Sequence, residues 1–154
     1  MQIDTIKETS LDEAIDQYWE SFLPVWNEIR CHLRAIATET FGISVEQFHI
    51  LRHIRRGHTS VSELAAARQI SRPAISQAVE ALVEKDLISR RQDSDDRRFV
   101  HLALTPTGEE LLNGIFQQNR AWMKEKMAAL DADELMKITQ AMELLKASYI
   151  PPSA

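Results

Sequence analysis

The stretch from Ser71 to Lys85, SRPAISQAVEALVEK, constrains this chain more than any other. Ile75, Val79, Leu82 and Val83 recur at helical spacing, Ser71 is a residue type that caps helices, and Pro73 falls in the first turn, where a missing N–H costs little. One face is thereby committed to a core. The opposite face carries Arg72, Ser76, Gln77 and Glu80. Arginine, serine and glutamine hydrogen-bond phosphates and base edges, so a helix exposing them in its N-terminal half suits the major groove of duplex DNA. Any surface helix can expose such residues, so the neighbouring segments decide.

Upstream, Ser60 and Glu63 form a capping box for a short helix, SELAAAR, which exposes Leu64 on a run of alanines that permits close packing of another helix. A three- or four-residue turn near Gln69 and Ile70 then leads to Ser71, a helix-turn-helix spacing. That turn contains no glycine, so it must be built without a residue that enters positive φ freely, and Ile70 is placed to staple it. Downstream of Lys85 the period becomes extended: LISRRQ and RRFVHLALT flank the polar turn Asp93-Ser94-Asp95-Asp96, which predicts a β-hairpin. Its tip and shoulders hold Arg90, Arg91, Arg97 and Arg98, with aspartates between them to hold the loop in one shape. Beside a helix-turn-helix, such a hairpin reads as a wing whose arginines reach the minor groove.

Charge follows the same division. The whole chain carries a net −5, which argues at first sight against a nucleic-acid partner. From Leu51 to Thr105, however, ten Lys and Arg face seven Asp and Glu, a net +3, and the remainder is −8. A basic middle between acidic flanks suits a DNA-binding lobe carried by an acidic oligomerisation lobe.

The flanks read as long helices. Leu11, Ile15, Tyr18, Phe22, Val25, Ile29, Leu33 and Ile36 form an amphipathic stripe, with Trp19 and Trp26 beside it as packing residues, and Pro24 predicts either a kink near Glu20 or a second helix starting at Pro24. Ser44 caps the next helix, to about Arg56, with Val45, Phe48, Leu51 and Ile54 inward and His49, Arg52, His53 and Arg56 on the other, solvated face. Thr105-Pro106 opens a helix through about Leu130, with Leu112, Ile115, Trp122, Met123 and Leu130 on one side. Asp131 and Glu134 cap the last, whose Leu135, Ile138, Met142, Leu145 and Tyr149 follow the rhythm of a seam between paired helices. The lone Cys31 forms no internal disulfide, there is no apolar run of signal-peptide or membrane-span type, and a cytoplasmic location is expected.

With the elements in this order, the chain resembles the MarR family of winged-helix transcriptional regulators from about Leu11 to Tyr149. The wing turn Asp93-Ser94-Asp95-Asp96-Arg97-Arg98 resembles that family's D-x-x-D-R-R turn, followed by Leu104-Thr105-Pro106-Thr107-Gly108. The segment Ala81-Leu82-Val83-Glu84-Lys85-Asp86-Leu87-Ile88 resembles its exit from the recognition helix, with Asp86 where glycine is commoner. Cys31 stands too close to the second helix for the spacing of the peroxide-sensing branch.

The resemblance implies a mainly α fold with a small β-hairpin wing. Residues 1–43 and 106–154 are expected to form a helical dimerisation lobe, and residues 44–105 a winged helix-turn-helix lobe. It implies a homodimeric repressor on a pseudo-palindromic DNA operator, not an enzyme, and without a cofactor. The implied DNA-contacting residues are Ser60, Ser62, Ser71, Arg72, Pro73, Ala74, Ser76, Gln77, Arg90, Arg97 and Arg98, with Asp96 bracing the wing. A small aromatic or anionic effector would draw on Trp26, Arg30, Phe48, His49 and Arg52. Two other readings compete: a metal-responsive regulator or metal-dependent enzyme built on His49 and His53, which lacks a third ligand in the sequence, and a helical adaptor that keeps the fold without binding DNA.

Overall fold

A computed structural model describes residues 10–92 and 100–150 of the chain. They are mostly helical, with one two-stranded antiparallel sheet, and group into two compact units divided in sequence between Asn119 and Arg120.

The first unit opens with a helical run. Ser10 and Glu13 cap α1 (Leu11–Gln17) reciprocally, a π-helical turn over Tyr18–Phe22 follows, then α2 (Leu23–Ala35) and a second π-helical turn over Ile36–Thr40. The interruption expected at Pro24 takes this form rather than a fresh helix start. Pro24 sits in the first turn of α2, and Glu20, whose carbonyl it cannot serve, lies in the π turn, where bonds reach one residue further. Of the apolar stripe, Leu11, Ile15 and Val25 are exposed, as are Trp19 and Trp26 beside it, while Tyr18, Phe22, Ile29 and Leu33 are half-buried and Ile36 enters the core with Ala37.

Ser44 and Gln47 form the capping box of α3 (Val45–Arg55), which buries Phe48, Ile50, Leu51 and Ile54. Its other face is less solvated than the sequence suggests: Arg52 lies over the rings of Phe48 and Phe116, and His49 and His53 are half-buried. The next pair is α4 (Val61–Arg68) and α5 (Arg72–Glu84). Leu64 is wholly buried, so the alanine run seats it in the core.

The turn between α4 and α5 dispenses with glycine because Gln69 itself takes φ 54°. Ile70 N–H donates to Ala65 O at 3.1 Å and Gln69 N–H to Ala66 O at 3.3 Å, the paired bonds of a Schellman motif, and Ile70 packs on the core as the expected staple. Asp86 repeats the device at φ 56° after α5, with Leu87 N–H on Leu82 O and Asp86 N–H on Val83 O, each 2.9 Å. Leu82 and Leu87 are both buried, which supplies the apolar contact that accompanies this motif.

Strands β1 (Ile88–Gln92) and β2 (Val100–Leu104) pair antiparallel, with Ile88 opposite Leu104, Arg90 opposite Leu102 and Arg91 opposite His101. Leu102 N–H also donates to Thr59 O at 2.7 Å, which ties the hairpin to the loop ahead of α4. Thr105 then opens α6 (Pro106–Lys126): its hydroxyl accepts from Gly108 N–H at 3.0 Å and donates to Asp86 O at 2.5 Å. One continuous core joins these elements, centred on Ile50, Leu51, Leu64, Ile75, Val79, Leu82, Ile88, Leu112 and Ile115.

The second unit holds the end of α6 and α7 (Ala132–Tyr149). Helix α6 ends at Lys126 rather than near Leu130 because tighter bonds, Ala128 N–H to Glu125 O and Leu130 N–H to Met127 O, close a turn before the Asp131–Glu134 capping box. Along α7 the expected seam residues Leu135, Ile138, Met142 and Tyr149 are exposed, and Leu145 is half-buried. No helix among the described residues is long and apolar enough to cross a membrane.

Candidate nucleic-acid interface

The core-facing residues of α5 leave its other side free. Arg72, Pro73, Ala74 and Gln77 are exposed and Ser76 is half-buried, all on the N-terminal half of the helix. Ser71 has the extended backbone of an N-cap, but its hydroxyl makes no cap hydrogen bond, contrary to what its residue type suggests. The first N–H groups of α5 therefore point outward without a side-chain acceptor, which is the electrostatics that favours an anion.

Helix α4 contrasts with this. Ser60 Oγ accepts from Glu63 N–H at 3.1 Å, and the Glu63 carboxylate accepts from the backbone N–H groups of Thr59 at 2.7 Å and Ser60 at 3.0 Å. Those two backbone bonds hold the Glu63 carboxyl below the usual carboxylate range. A hydroxyl that accepts can still donate, so Ser60 keeps its proton for a phosphate, and Ser62 is exposed beside it.

On the hairpin the arginines divide. Arg90 is paired with Glu80 of α5, Nη2 to Oε1 at 2.6 Å, while Arg91 is exposed on the opposite strand face. Arg97, Arg98 and the bracing Asp96 lie outside the described residues.

The expected effector residues are distributed over two helices. Phe48, His49 and Arg52 sit together on α3, with the ring of Phe116 5.8 Å from that of Phe48, and Arg55 lies over Phe116 at 4.9 Å while donating to Asn113. Arg68 closes one end of this group through a two-pronged ion pair with Glu46, at 3.2 and 3.0 Å. Burial, then the charges of Arg68 and Arg52, push the His49 imidazole below its ordinary pKa. Trp26 and Arg30 lie exposed on α2, where Arg30 donates to Asn27.

His53 turns to His58 rather than to His49. Their rings meet edge to face at 5.1 Å, and both Nδ1 atoms are buried without a hydrogen-bond partner. Burial and then the neighbouring His58 lower the His53 pKa. Among the described residues no three His, Cys, Asp or Glu side chains converge as a metal site would need. Sequence reading passed over this histidine pair, the Glu46–Arg68 pair and the Glu80–Arg90 pair. Only the first left a trace: Gly57 at φ 98° turns the chain so that His58 N–H reaches His53 O.

Comparison with known proteins follows the same outline. A family model described as "MarR family" matches residues 41–98. The HTH-type transcriptional repressor MdtR of Bacillus subtilis is 26% identical over 113 residues, covering 68% of this chain and 73% of MdtR. Among solved structures, a variant of Staphylococcus aureus MepR bound to oligodeoxyribonucleotide superposes with a TM-score of 0.67 at 22% identity, over 85% of this chain and 96% of that one. The S. aureus MarR protein in complex with salicylate and kanamycin gives 0.69 at 23% identity, over 91% of this chain and 95% of that one.

Proposed function

We propose, since the chain belongs to the MarR family of transcriptional regulators, that it is a cytoplasmic homodimer that represses transcription by binding a pseudo-palindromic operator. The observation that carries this reading is the exposed N-terminal half of α5, where Arg72, Pro73, Ala74 and Gln77 surround uncapped N–H groups. In the complex this end enters the major groove, Ser71, Arg72, Ser76 and Gln77 reaching base edges and phosphates. Ser60 and Ser62 donate to the backbone from the start of α4, and Arg97 or Arg98, braced by Asp96, enters the minor groove.

Dimerisation is assigned to residues 1–43 and 106–154. In support, Leu11, Ile15, Trp19 and Trp26 on the first helices and Leu135, Ile138, Met142 and Tyr149 on α7 are exposed in the single chain. An apolar area of that extent stands uncovered against solvent unless a second copy covers it. Pairing sets two α5 helices about 34 Å apart, one turn of B-DNA. A small aromatic or anionic effector, held near Phe48, His49 and Arg52 with Trp26 and Arg30, would favour a dimer of the wrong spacing and so release DNA.

Gel shifts and footprints on the region upstream of its own gene, with light scattering for the oligomer, test this. Protection of one inverted repeat by a dimer is expected, with affinity falling steeply as salt rises. A monomer, or no salt-dependent affinity for any duplex, overturns it.

A further inference from the structure

Glu80 lies one helical turn beyond Ser76 and Gln77, on the exposed side of α5 that the DNA-binding reading turns toward phosphates. A bare carboxylate there repels the duplex. It is not bare, because Arg90 of β1 reaches back to it at 2.6 Å. The hairpin register explains why Arg90 does so and its neighbour does not. Directly opposed residues of an antiparallel pair share a face, and faces alternate along each strand. Arg90 therefore shares the inner face with Ile88 and Leu102, both buried, whereas Arg91 shares the outer face with His101, both exposed.

We propose that Glu80 and Arg90 are positioning residues that clamp the wing to the recognition helix, and that Arg91 is the cation this strand offers to DNA. The clamp makes the minor-groove and major-groove elements one rigid reading head. It also neutralises the one carboxylate of the α5 N-terminal three turns, so the helix approaches phosphate with Arg72 uncompensated. This rests on the DNA-binding reading above.

The test compares the affinity of the full-length chain for a duplex selected from a random pool with that for a random-sequence duplex of equal length, across a salt series. Arg90→Gln is expected to lower the preference for the selected duplex about two- to fivefold, the range of an exposed ion pair, with the salt slope unchanged. The charge swap Glu80→Arg with Arg90→Glu restores the preference at constant net charge. Arg91→Gln lowers the salt slope by about one unit and leaves the preference alone. If Arg90→Gln lowers the slope with the preference intact, Arg90 is itself a phosphate ligand and the clamp is overturned. A swap that fails to restore the preference while matching the parent's circular dichroism and thermal midpoint overturns it too, and an unchanged slope in Arg91→Gln overturns that assignment. A parent chain without salt-dependent affinity for either duplex overturns the DNA-binding reading and the clamp's role with it.

Discussion

The carbonyl oxygen of Leu87 stands 2.1 Å from where a Cβ on residue 108 would be, so Gly108 is the only residue type that fits there. Three bonds fix the approach: Thr105 N–H to Leu87 O at 3.2 Å, Thr105 Oγ1 to Asp86 O, and Gly108 N–H to Thr105 Oγ1. The recognition-helix exit, the hairpin and the start of α6 are thus joined at one point. Gly108→Ala sets a methyl group against backbone, which cannot swing aside, and is expected to destabilise by about 1–3 kcal/mol, as overpacked cores do. Urea unfolding measures this; an unchanged midpoint would show that α6 can slide away from Leu87.

Asp86 carries a second expectation. Its φ of 56° is a conformation that costs an L-residue about 1 kcal/mol, less for aspartate than for most, and glycine nothing. Asp86→Gly should therefore raise stability by about 0.5 kcal/mol after the extra freedom glycine has in the unfolded chain is subtracted, and Asp86→Val should lower it. The denaturation midpoints of the two variants should bracket that of the parent; the reverse order would place the strain elsewhere.

These two turns also mark how far the sequence could be read. The cap at Ser44, the capping boxes at Ser60 and Asp131, and the apolar rhythm of α5 depend on residues close in sequence, and each forms where the pattern places it. Turns are expected near Gln69 and after Lys85, but with no glycine in either the sequence does not mark which residue takes the left-handed backbone; both are imposed by the paired bonds and buried apolar residues around them. The resemblance implies Arg90, with Arg97 and Arg98, as a DNA ligand and leaves Arg91 out. Which face Arg90 takes depends on the strand register, and its partner Glu80 lies on another element, so no local pattern could separate it from Arg91. The packing of Arg52 on Phe48 and Phe116 escaped for the same reason, since Phe116 comes from α6.

Ser60 and Ser62 separate a structural from a binding role at one helix start. Ser60 caps α4 and Ser62, in its first turn, does not. Ser60→Ala is expected to cost about 1 kcal/mol of stability through the lost cap and to weaken DNA binding as well. Ser62→Ala should weaken binding alone, with its unfolding midpoint unchanged. Equal affinities of both variants and the parent, measured at one salt concentration, would remove α4 from the phosphate contacts.

Acid should loosen the helix-turn-helix lobe before it reaches the carboxylates. His49 and His53 both have pKa values lowered in the folded chain from an ordinary 6.5, first by burial, then by Arg68 beside His49 and by His58 beside His53. A histidine shifted this way binds fewer protons folded than unfolded, so its stabilising effect is complete above the ordinary value and is lost as pH falls through it toward the lower folded pKa. Arg52, Arg56 and Arg68 face His53 and add to the cost of charging it, while Glu46 opposes the shift at His49. Glu63, lowered from 4.5 by the N–H groups of Thr59 and Ser60, loses its contribution only further down, as its own folded pKa is approached. Thermal midpoints recorded from about pH 8 to about pH 5 should fall below about pH 6.5, the range where unperturbed imidazole titrates. His53→Gln removes one of the two titrating groups and should flatten that fall without abolishing it. A parent midpoint that holds level across this range would mean that His49 and His53 find hydrogen-bond partners once charged.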